Sequence, residues 1–224
     1  MNKLLIFAAL FALCTACGKK TFVQMTTSQG EIVLKLYDET PFHKENFIKL
    51  VEEGFYDSLL FHRVIDDFVI QGGDPQSRGA EPGILLGNGG PDYKVPAEFN
   101  DSLFHKKGAL AAARGGHPQK ASNGSQFYIV DGKPFTDADL DRFEKADHYE
   151  GHEFSPYQRE FYTTIGGLPF LDLNYTVFGE VVAGMNIVES IAASETDSKA
   201  RPVEDVLIIE AKMIKFKQAE DRAD

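Results

Sequence analysis

The chain has 224 residues, of which 43% are apolar and 25% charged, a composition that suits a globular protein with one sizeable core. A net charge of −11 argues against nucleic acid as the main partner, because phosphate recognition needs clustered Lys and Arg. Both cysteines, Cys14 and Cys17, lie near the start, so the body of the chain can hold no disulfide, cysteine nucleophile or Cys-based zinc site.

Residues 1–16 read as an export signal: Lys3 supplies a positive start, Leu4 to Leu13 an apolar run, and Thr15 and Ala16 small residues. The run is roughly half the ~20 residues that a spanning helix requires. Leu13-Cys14-Thr15-Ala16-Cys17 resembles a bacterial lipobox. That resemblance implies cleavage before Cys17, lipid attachment at Cys17 and a tether to a membrane of the cell envelope. A plain signal peptide with an incidental cysteine is the alternative. Residues 17–224 are expected to form one domain.

Thr21 to Thr27 and Glu31 to Tyr37 are β-prone runs separated by the turn signal Ser28-Gln29-Gly30, and read as a hairpin. Thr40 then stands as a cap before Pro41, opening a helix with Phe47, Leu50 and Val51 on one face and Gly54 as its stop. Further strands are predicted over 61–65, 68–71, 109–113, 126–130, 177–182 and 206–214, and a second helix over 185–192. About eight short strands with so few helices predict a mainly β fold, a closed antiparallel barrel capped by two helices. A polar stretch between Val130 and Leu168 breaks the pattern with two helix starts, Thr136 before Asp137 and Ser155 before Pro156. It reads as a helical insertion over about 131–168, too short to bury a core of its own. Its location on a surface loop predicts that 135–166 are dispensable for turnover of short peptides and matter for client choice.

Three segments carry the chemistry: Phe61 to Asp74 (FHRVIDDFVIQGGD), Ser125 to Ile129 (SQFYI) and Tyr175 to Gly179 (YTVFG). They offer Arg and Gln beside aromatic residues, with no evident nucleophile, base or metal cluster. Rotation of an X-Pro bond suits that inventory, since no covalent bond need break. In this order the segments resemble the cyclophilin family of peptidyl-prolyl isomerases, from about Thr21 to Phe216. The resemblance implies Arg63 as the catalytic arginine, Phe68, Val69, Tyr128 and Leu171 as walls of a proline pocket, and Gln71 and Gln126 as groups that hold substrate backbone. It also places Ala113 and Arg114 at a backbone-contacting pair that is often Ala-Asn. Phe170 and Tyr175 stand where many eukaryotic members carry Trp and His, and Val69 is smaller than the usual Met.

No cofactor is expected. Partners are expected to be proline-containing unfolded or flexible polypeptides, bound by a monomer. A binding module that holds proline motifs with little turnover is the rival reading, and Arg63 separates the two, since a pure binder would not need it. His148, Glu150, His152 and Glu153 invite comparison with a metal site, but Gly151 disfavours a helix and a third strong ligand is lacking. Asp137, Asp139 and Asp141 alternate as in a calcium loop without its later Gly and Glu. No metal site is assigned.

Overall fold

The computed structural model describes residues 20–145, 151–215 and 218. The export signal, Cys17, His148, Glu150 and the end of the chain lie outside them. No helix among the described residues is long and apolar enough to cross a membrane.

Strands β1 (Thr21–Thr27) and β2 (Gly30–Leu36) form the predicted hairpin. They enter one antiparallel sheet with β3 (Leu59–Leu60), β4 (Arg63–Ile65), β5 (Val69–Gly72), β7 (Ala109–Ala112), β9 (Phe127–Val130), β10 (Val177–Ala183) and β11 (Leu207–Ile214). The order across it is β3-β11-β1-β2-β10-β7-β9-β5-β4. The sheet therefore has nine strands where the sequence predicts eight. The run predicted over 61–65 is shortened to β4, which pairs with β5, and the unpredicted β3 just before it pairs with β11, with Phe61 and His62 passing between the two. The curled sheet is thus joined edge to edge by the chain itself and not by a hydrogen-bonded ladder. A separate pair, β6 (Lys94–Val95) with β8 (Ser122–Asn123), has no counterpart in the predicted strands; two-residue runs carry no readable alternation.

The period of two along each strand creates two apolar regions. Phe127, Ile129, Leu110, Ala112 and Ile70 point into the main core. Tyr128, Val130, Ala109, Ala111 and Val69 lie on the other face, in a second cluster with Phe68, Phe170, Leu171 and Tyr175. Helices α1 (Pro41–Glu52) and α4 (Met185–Ala192) pack Phe47, Leu50, Val51, Val188 and Ile191 onto the main core, as the two predicted caps require.

Thr40 precedes α1 but does not cap it with its side chain, which is buried without a hydrogen-bond partner among the described residues. Glu98 serves instead, accepting from the backbone N–H of Phe42 at 3.0 Å and of His43 at 2.9 Å. A carboxylate at a helix N-terminus meets both the free N–H groups and the positive end of the dipole, which a hydroxyl matches less well. The same Glu98 binds His43 Nδ1 at 2.6 Å and so fixes the ring as well as the helix end.

The insertion carries α2 (Asp137–Phe143) and α3 (Pro156–Thr164), each opened by the predicted residue in a complete capping box. Asp139 accepts from Thr136, and Asp137 and Asp141 pair with Arg159, so these alternating acids serve helix and ion-pair contacts. The two ends of the insertion meet where Gly132 lies against Gly167; a Cβ on Gly132 would stand 2.7 Å from Gly167 Cα. Leu140, Phe154 and Tyr162 pack with Phe104 of the preceding loop into a buried cluster. This seating in the wall of the fold argues against the expectation of a dispensable appendage.

Candidate active site

The second cluster surrounds a cavity of about 250 Å3 lined by Arg63, Phe68, Val69, Gln71, Ala113, Arg114, Tyr128, Leu171 and Tyr175. Strand register explains the assembly: Arg63 opposes Gln71 across β4 and β5, Gln71 opposes Tyr128 across β5 and β9, and Tyr128 opposes Ala111 across β7 and β9. The alanines on β7 leave volume that a larger side chain would fill.

Arg63 is half-buried. Its Nη1 donates to Gln71 Oε1 at 3.3 Å, and its guanidinium lies over the Phe68 ring at 5.5 Å. Gln71 in turn donates to Gln126 Oε1 at 3.0 Å. Gln126 does not line the cavity. It is buried, and its amide donates to the carbonyls of Gly87 and Gly89 at 2.9 and 2.8 Å, so it acts on the cavity through Gln71. Phe170 also stands behind the wall, stacked parallel on Phe68 with centroids 6.2 Å apart. Arg114 is pinned, its Nε donating to the Asn174 carbonyl at 2.7 Å and its guanidinium lying 4.8 Å from the Tyr175 ring centre.

The turn after β5 supports this geometry. Gly73 has φ +89°, and a Cβ there would stand 2.2 Å from the Ser125 carbonyl oxygen, so the backbone approach admits only glycine. Asp74, fully buried, accepts from Gln76 N at 2.8 Å and from Gly89 N at 3.3 Å. Asp74 and Gln126 together clamp the 87–89 loop.

That loop borders a second cavity, of about 290 Å3, which shares Arg63 and Gln71 with the first and adds His62, residues 84–88, Lys199 and Arg201. His62 is buried, and neither ring nitrogen makes a hydrogen bond of good geometry among the described residues. Burial is the chief reason that its pKa falls to about 4, with Arg63 and Arg201 adding to the effect and Asp74 and the Leu60 carbonyl opposing it. His62 and this cavity escape the sequence reading, although the histidine stands inside the FHR run that points to Arg63. Tyr128 also has an unforeseen partner, His105 Nε2, 2.9 Å from its hydroxyl. Elsewhere, carboxylate oxygens of Asp66, Asp67 and Asp131 gather within 4.8 Å, but Asp131 already holds Lys107 and the Asp67 backbone.

The model of the family described as cyclophilin type peptidyl-prolyl cis-trans isomerase/CLD matches residues 22–213. The chain belongs to the cyclophilin family. A Staphylococcus haemolyticus protein named for peptidyl-prolyl cis-trans isomerase activity is 35% identical over 187 residues, 83% of this cyclophilin and 87% of its relative. One from Staphylococcus epidermidis is 36% identical over 187 residues, with 83% and 88% covered. A Streptococcus pyogenes protein named as a bifunctional phosphatase and isomerase is 36% identical over 191 residues, but the match spans only 37% of that longer protein. Among solved structures, a Cryptosporidium parvum cyclophilin superposes with a TM-score of 0.63 at 22% identity, covering 88% of this chain and 98% of its own. The fold is therefore that of the family, and the enzyme class is peptidyl-prolyl cis-trans isomerase.

Proposed function

We propose that the Arg63 cavity is the site where this cyclophilin rotates X-Pro bonds, and that its substrates are unfolded or flexible polypeptides of the bacterial cell envelope. The carrying observation is the state of Arg63: half-buried, aligned by Gln71 and Phe68, and in no ion pair with a carboxylate among the described residues. An arginine withdrawn from water is ordinarily matched by such a partner.

The X-Pro barrier of ~18–20 kcal/mol arises because the nitrogen lone pair is shared with the carbonyl. In the twisted state that sharing is lost, the nitrogen turns pyramidal, and its lone pair becomes a hydrogen-bond acceptor. A barrier of about 20 kcal/mol allows roughly 0.01 turnovers per second, so about 1,000 per second requires near 7 kcal/mol of selective stabilisation. One charged hydrogen bond supplies about 1.5–3 kcal/mol. The remainder is assigned to the cavity: Phe68, Val69, Tyr128 and Leu171 enclose the proline ring and favour the less polar, deconjugated amide. Gln71, held by Gln126, orients Arg63 and is placed to bind substrate backbone. Rotation leaves no electron or group to carry, so the reaction calls for no cofactor.

The test is exchange spectroscopy on an X-Pro tetrapeptide. Arg63→Ala should lower kcat/KM by about 100- to 1,000-fold, the scale for losing one preorganised donor, with an unchanged melting curve. An equally active variant would remove Arg63 from the mechanism. The proposed lipid tether at Cys17 is checked separately by mass spectrometry of the mature N-terminus, where an unmodified cysteine rejects it.

A further inference from the structure

We infer that Tyr162, on the inserted helix α3, is a positioning residue for the proline cavity and acts through Asp172 and His105 on the ring of Tyr128. The inference rests on the reading of the Arg63 cavity as the isomerase site.

The hydroxyl of Tyr162 donates to Asp172 Oδ2 at 2.6 Å. Asp172 Oδ1 accepts from the backbone N–H of His105 at 2.8 Å and lies 2.7 Å from His105 Nδ1. The other ring nitrogen, Nε2, is 2.9 Å from the Tyr128 hydroxyl. All four side chains are buried, none more than 5% exposed. An ionised carboxylate can only accept, so these partners assign the proton of a neutral imidazole to Nδ1 and make Nε2 an acceptor. Tyr128 then donates to His105. With the imidazole neutral every link has one direction, and the chain runs unbroken from the insertion to the cavity wall.

The rings reinforce it. His105 stacks on Tyr128 with centroids 6.0 Å apart and an interplanar angle of 16°. The insertion also reaches the opposite wall, where Phe143 lies 5.7 Å from Phe170, the ring stacked on Phe68. Loss of the Tyr162 hydroxyl would leave a buried carboxylate oxygen short of a donor, which low dielectric makes costly. Asp172 and the His105 ring bonded to it would then shift to recover the contact, and the Tyr128 hydroxyl on His105 Nε2 would move with them. A change made on α3 is thereby felt at the cavity.

A double-mutant cycle on the full chain tests this, with kcat/KM on an X-Pro tetrapeptide measured well below the melting transition for wild type, Tyr162→Phe, Tyr128→Phe and the pair. Tyr162→Phe should reduce kcat/KM about three- to tenfold, the scale of one buried hydrogen bond, and should have no further effect once Tyr128 is Phe. An equal loss in both backgrounds would mean that Tyr162 acts through general stability, and overturns the proposal, as would no loss at all. Should Tyr162→Phe fail to fold, nitrogen chemical shifts of His105 in the wild type decide: the Nδ1–H tautomer supports the chain and the Nε2–H tautomer overturns it. Wild type without activity on the tetrapeptide would instead reject the isomerase reading of the cavity, an outcome distinct from either.

Discussion

Phe127 and Tyr128 are neighbours on one strand, are almost equally buried at 1% and 5% exposure, and have opposite surroundings. Phe127 meets Phe47, Tyr56 and Phe61 edge-on, with centroids 5.6, 5.4 and 6.1 Å away. Tyr128 has the rings of His105 and Tyr175 on its flanks, 6.0 and 5.9 Å away, but faces small residues, Ala111 across the strand pair and Ala113 beyond it, and a cavity of about 250 Å3 remains. Burial alone therefore does not distinguish core from site. The distinction lies in the volume opposite, filled by aromatic rings on one face and withheld by alanines on the other, while hydrogen-bonded loops keep the withheld space from collapsing.

The inner face carries the largest effect. Phe127→Ala should lower unfolding free energy by about 3–5 kcal/mol, read as a reduced urea midpoint, and leave turnover per folded molecule largely intact. Undiminished stability would show that the inner face is not close-packed. His62 tests the border between the regions. Its ring is neutral in the fold down to about pH 4, whereas in the unfolded chain it takes up a proton near pH 6.5. Stability should fall as pH drops from about 6.5 to 4, by about 3 kcal/mol at most, and this contribution should level off below the folded pKa. His43, also held below its ordinary value by burial against the opposing pull of Glu98, adds in the same direction. Urea titrations across that range, with imidazole shifts followed by NMR, check it; a His62 ring charged at pH 5.5 in the fold contradicts it. The outer face gives the smallest effect. Ala113→Leu should place methyl groups in the cavity and reduce kcat/KM about ten- to a hundredfold, as for a pocket misfit, with little change in the melting temperature. Full activity would mean that substrate does not occupy this space.

Much of this molecule is legible locally. The hairpin, the strands at 109–112 and 127–130, and both helices of the insertion follow from alternation and from caps such as Thr136 and Ser155, because those signals join residues within a few positions of one another. The FHRVIDDFVIQGGD run likewise brings Arg63 and Gln71 together, since a tight β4–β5 hairpin puts them opposite each other. Glu98, by contrast, caps α1 from 55 residues away, and no local pattern marks it. His105, Asp172 and Tyr162 read in sequence as three unrelated polar residues. Only folding makes them one chain, by carrying 105, 128, 162 and 172 to the same buried place, where unpaired polar groups would be costly. Short-range periodicity and motif were enough for most of the elements, the family and the principal side chains of the cavity, but not for the two-residue strands β3, β6 and β8. What depended on the tertiary structure is that Gln126 and Phe170 stand behind the cavity wall, that His62 loses its ordinary basicity, and that the insertion packs against that wall, because each depends on which distant groups share a space without water.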